Sequence, residues 1–234
     1  MSPSPPAEVA RAPLAELRLR FERERALIAL FDFGRRKGFG LSAARVYAFG
    51  VFVTYAIAIS VTHGSGRHAA IQSFMHAALV ALSWVVGALA ALGTARGLAE
   101  QAESDGLRAL ALQRGFDGRA VLRARTLAGA LRVARLVGIP ALLLVGVAVA
   151  RGQSLVWALV TAPAVAVYAA ALGLCLALLA HFSAALSPRH PRALLAALVL
   201  GPLVIAQVYP GVPSVSGVFA ALLDRLMGAG AAFT

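Results

Sequence analysis

The chain has 234 residues, of which 60% are hydrophobic and 14% charged, and its 22 Lys and Arg outnumber its 10 Asp and Glu for a formal net charge of +12. Soluble domains carry about 25% charged residues, so this composition excludes an ordinary soluble fold. The single cysteine, Cys175, excludes an intrachain disulfide or a thiolate metal site.

Residues 1–13 are Pro- and Ala-rich and read as a disordered tail. From 14 to 45 the pattern turns helical. Leu14, Leu17, Phe21, Ile28 and Phe31 fall on one face, while Arg18 with Glu22 and Glu16 with Arg20 make i,i+4 pairs on the other. Phe31, Phe33 and Phe39 are interleaved with Arg35, Arg36 and Lys37. This is the pattern of an amphipathic helix lying in a membrane interface, rings in the acyl boundary and cations among the headgroups. The other arrangement open to it is packing on a second subunit.

Residues 46–234 form the membrane domain. Five apolar stretches are almost free of charge: Val46–Thr62, Ala70–Gly93, Leu136–Ala150, Leu155–Phe182 and Leu194–Tyr209. A helix needs about 20 residues to cross a hydrocarbon core of about 30 Å. The predicted fold is an all-α polytopic bundle of five or six spans. Cations set its orientation. Residues 1–45 carry nine, the connection 94–135 carries eight, and Arg189 and Arg192 add two; the alternate connections keep only Arg67, Arg151 and Arg225. Cationic loops resist translocation, which places the N-terminus in the cytoplasm. Arg outnumbers Lys 21 to one in an alanine-rich chain, a composition that suits the inner membrane of a GC-rich bacterium. The cations lie beside spans, so their expected partners are membrane lipids and not nucleic acid.

Catalytic chemistry is sparse. His63 and His68 flank the turn Gly64-Ser65-Gly66, while His76 and His181 sit at opposite membrane faces. Polar or interfacial histidines are the expected reading, and no cofactor is expected. The only lysine, Lys37, is followed by glycine outside any phosphate-binding loop, so no ATP site is expected on this chain. Pro140, Pro163 and Pro202 fall inside the third, fourth and fifth spans, where each removes a backbone donor. They are candidate hinges or cavity-lining positions, set against ordinary packing of membrane helices.

The connection between the second and third spans is long enough to do more than link them. Arg96 with Glu100, and Asp105 with Arg108, favour helix in its first half. Gly115-Phe116-Asp117-Gly118 then breaks the run. Asp117 is placed to cap a second helix with exposed Arg119, Arg123 and Arg125. A cytoplasmic helical hairpin is predicted.

At this point the chain resembles the membrane subunits of type 2 ATP-binding-cassette exporters. The resemblance lies in the acidic Glu100, Glu103 and Asp105, then Gly106 with Leu107, Leu110 and Leu112, then the 115–118 turn and the basic run Arg119–Arg125. The amphipathic segment 14–45 is similar to that family's elbow helix. Many relatives carry a proline in the turn; this chain has Gly115-Phe116-Asp117. The resemblance implies that residues 94–128, chiefly Glu100, Glu103, Asp105, Gly106, Asp117, Arg119 and Arg123, couple to a separate cytoplasmic ATPase. It also implies a second permease copy or a paralogue, and no covalent chemistry on this chain. A non-transporting anchor or scaffold would use the same hairpin for docking, and an ion-coupled carrier would need an acid at mid-depth. Asp224 is the one candidate. It and Arg225 fall mid-way along 214–234, where two charges cost several kcal/mol in a crossing helix. That segment either turns the pair toward a cavity or partner, or is an outer or re-entrant helix.

Overall fold

A computed structural model describes residues 19, 22–29, 31, 39–64, 66–92, 106–208, 218, 221, 222 and 225. Among these, the backbone alone is described for 39–41, 85, 86, 106–108, 110, 200 and 202–208. All regular elements among the described residues are helical. In chain order they are α1 (22–29), α2 (Phe39–Val61), α3 (Arg67–Leu92), α4 (Gly106–Gln113), α5 (Gly118–Ala150), α6 (Leu155–Leu186) and α7 (Pro191–Val208).

Among the described residues, four helices are long and apolar enough to cross a membrane: Ser42–Val61 within α2, α3, α5 and α6. The fifth expected span corresponds to α7, an 18-residue helix most of whose second half is described by backbone only. Long apolar helices form here because an unpaired backbone group in lipid costs several kcal/mol, and a helix satisfies all of its own.

The turns are set by glycine. At Gly115 (φ 78°) and Gly152 (φ 95°) the chain enters the left-handed region. Each ends its helix in a Schellman motif. Gly115 N–H donates to the Leu112 carbonyl and Phe116 N–H to the Ala111 carbonyl; Gly152 and Gln153 repeat this with Val149 and Ala148. Ser154 then caps α6, its hydroxyl accepting from Trp157 N–H at 3.1 Å.

The α5–α6 pair is the frame of the molecule. These antiparallel helices of 33 and 32 residues pack along their length, with α2 and α3 against α5 and α7 against α6. Small residues permit the approach. A Cβ on Gly173 would collide with the Ala130 carbonyl oxygen, and one on Gly138 would come within 3.3 Å of Ala169 Cβ. This register sets Pro163 of α6 roughly level with Pro140 of α5. Both helices run through their prolines.

Each of these two helices is about 48–50 Å long at 1.5 Å per residue. That exceeds the hydrocarbon core by far more than ordinary tilts of about 20° absorb. The five arginines of α5, Arg119 to Arg135, all lie toward its N-terminal side and none follows, so excess length over the core falls at the α4 end. The third span and the second arm of the hairpin are thus one continuous helix. The charge-free stretch expected as the third span, Leu136–Ala150, is its second part.

Candidate functional site

The projecting end is built from α1, α4 and the first half of α5. Leu27 and Phe31 are buried against Ala111, Val121, Ala124 and Ala128, with Ile28 and Phe116 packed around them. Arg132, itself buried, donates from Nη2 to the Phe31 carbonyl at 3.5 Å, and the Arg125 guanidinium lies 5.4 Å from the Phe31 ring centre. A cation held over a ring face is attracted by the ring quadrupole.

Three sequence expectations change here. Phe31 is not in an acyl boundary but inside this chain's own hairpin cluster. Arg125 is not an exposed cation; it is half-buried over Phe31. Asp117 occupies the N-cap position of α5, yet its side chain accepts no capping hydrogen bond, and only its carbonyl engages Val121 N–H. The physical reason is common to the first two. α4 and the start of α5 leave an apolar seam between them, and Leu27 and Phe31 close it.

Other expected residues fall as follows. Gly106 opens α4, and Asp117, Arg119 and Arg123 are exposed at the tip. Glu100, Glu103, Asp105 and Asp224 lie outside the described residues, as do Phe33, Leu14, Leu17 and Phe21. Pro202 lies within α7, its side chain undescribed; Pro163 is exposed; Pro140 lines a groove between α2 and α5.

The tip mixes charge with exposed apolar surface. Leu112 is 44% exposed and Leu122 55%, beside Arg114, Arg119 and Arg123. On α6, Leu174, Leu178, Phe182 and Leu186 recur every fourth residue and are all exposed, with Leu186 at 61%. One turn-to-turn stripe therefore continues toward the projecting end. Its last residues lie level with the start of α5.

Along α2 runs a separate groove of about 740 Å³, lined by Ser42, Tyr47, Gly50, Thr54 and Tyr55 with Ala81 of α3 opposite. Only 22% of the α2 span is buried, against 50% of α3. In the interior, Ser83 lies in a π-helical turn, Leu82–Val86, that interrupts α3. Its hydroxyl donates to the Leu79 carbonyl at 2.6 Å and meets the Tyr168 hydroxyl of α6. π-turns within helices often mark functional positions, and nothing in the sequence pattern announced this one.

At the opposite end the two short loops are stapled together. Buried Gln153 donates from Nε2 to the His68 carbonyl and accepts from His68 Nδ1, both at 3.2 Å. The Arg67 guanidinium packs on Gly152. His68, expected in the short loop, lies in the first turn of α3; for Gln153 the available signal is a lone glutamine in a helix–helix turn.

No family model matches the chain, and no curated protein or solved structure is similar to it.

Proposed function

We propose that the chain is the permease subunit of an ATP-driven exporter of the ATP-binding-cassette type, in a bacterial inner membrane with its N-terminus in the cytoplasm. The carrying observation is the projecting end. A hairpin whose second arm is continuous with a membrane span is a lever, because a push at its tip is delivered along one uninterrupted helix. Its tip offers Leu112 and Leu122 among Arg114, Arg119 and Arg123, a surface suited to a groove on a soluble partner. On this reading the partner is a cytoplasmic ATPase, since the sequence shows no phosphate-binding loop.

The pairing of Pro140 with Pro163 gives the lever its bending point, as each proline removes one backbone hydrogen bond from its helix at the same depth. The wide α2 groove is the face on which a second permease would close the substrate path. An anchoring or scaffold role is the second reading, favoured by the scarcity of ionisable groups within the spans.

Purification in mild detergent separates the two. The exporter reading expects a P-loop ATPase in stoichiometric amount, released by Arg119→Glu with Arg123→Glu. Retention of a non-ATPase membrane complex through the same residues would select the scaffold.

A further inference from the structure

A second groove opens between α2 and α5, and its chemistry differs from that of the first. It has a volume of about 270 Å³ and is lined by Arg45, Phe49 and Phe52 on one helix and by Arg135, Ile139 and Leu143 on the other, with Pro140 at its wall. The two helices run in the same direction from the hairpin end. Arg45 precedes Phe52 by seven residues and Arg135 precedes Leu143 by eight. At 1.5 Å per residue both arginines stand at one mouth, and the apolar walls extend about 10–12 Å beyond them toward the middle of the span.

We infer that this groove binds an anionic phospholipid of the leaflet on the hairpin side. The phosphate sits between Arg45 and Arg135, and one acyl chain follows the Phe49, Phe52, Ile139 and Leu143 wall. Both arginines are exposed, and on the membrane reading they stand where the charge-free part of each helix begins. Basic pockets between membrane helices on that side select acidic headgroups. An arginine also presents a planar fork that matches phosphate oxygens in pairs. A soluble phosphate would gain nothing from an apolar channel, whereas a lipid uses both halves of the site. The volume fits a stretch of one chain and not a whole lipid, so the remaining chain lies in the bilayer. The lipid would touch the turn that contains Pro140, the proposed bending point. The inference rests on the membrane reading and stands whether or not the chain belongs to an exporter.

Native mass spectrometry of the purified full chain with dioleoyl-phosphatidylglycerol or dioleoyl-phosphatidylcholine tests it. The glycerol lipid should be retained in preference to the choline lipid. Arg45→Gln with Arg135→Gln should lower its retention roughly tenfold or more, each arginine near an anionic surface contributing several-fold. Arg189→Gln with Arg192→Gln removes equal charge from the same end and should change retention less than about twofold. Ile139→Trp, at an exposed position, fills the groove without altering charge and should also release the lipid. Equal retention of the two lipids would overturn the proposal. So would equal losses from the two arginine pairs, no effect of Ile139→Trp, or full displacement of the lipid by glycerol 3-phosphate.

Discussion

The α5–α6 pair and α2 are both apolar membrane helices, yet they use their surfaces in opposite ways. In the pair, glycine is an instrument of contact. Gly173 has no room for even one methyl group against the Ala130 backbone, and Gly138 sits against Ala169. In α2, Gly50 has nothing within 4 Å of where its Cβ would stand, and grooves flank the helix on both sides. The pair is a closed joint that carries the fold, while α2 is a rim left open for something else. The presence of small residues does not distinguish the two, since Ala, Val and Gly recur in both. What separates them is whether the small residues of one helix meet the backbone of another.

The contrast can be broken at its firmest point. Gly173→Leu should cost more than any other change considered, above the about 1–3 kcal/mol typical of overpacking, since here the obstacle is backbone that cannot turn aside. A thermal unfolding midpoint in detergent equal to that of the wild type would show that the pair is not closed as described. Next comes the α1 dock. Phe31→Ala deletes a buried ring and the surface beneath Arg125, at a cost of about 3 kcal/mol. The loss should be local, seen as faster proteolysis within 22–31 while the spans keep their unfolding midpoint.

The loop staple ranks third. Gln153→Ala removes both hydrogen bonds to His68, and about 1–2 kcal/mol of stability should go with them. Hydrogen exchange at 62–68 reads this directly. The smallest effect belongs to the rim. Gly50→Ala meets empty space and gains helix propensity, so its midpoint should be unchanged or rise by an amount worth up to about 1 kcal/mol. Destabilisation there would mean that α2 is as tightly packed as the pair.

Four of the expected spans, and the turn between the hairpin's arms, were legible because they follow from one-dimensional rules. A charge-free run longer than a bilayer is thick has few other fates, and a glycine-bracketed break between two helical patterns makes a turn. The fates of Arg125 and Phe31 were not legible. Periodicity says that they share a helix face with apolar neighbours, but not which element closes over that face. The α2–α5 groove combines residues some 90 positions apart, and in the sequence Arg45 and Arg135 register only as orientation charges. Asp117 shows the converse: a residue of the right type at the right place that leaves its capping bond unmade. The acidic stretch through Glu103, on which the family resemblance leans most, lies outside the described residues.

Photocrosslinking from position 122, where Leu122 stands exposed at the hairpin tip, tests the docking claim most directly. With a photoreactive residue there in the native membrane, the account expects one dominant protein adduct. Its sequence should contain a phosphate-binding loop, and it should vanish with Arg119→Glu and Arg123→Glu. Adducts to lipid alone, or to a membrane protein without such a loop, would contradict it.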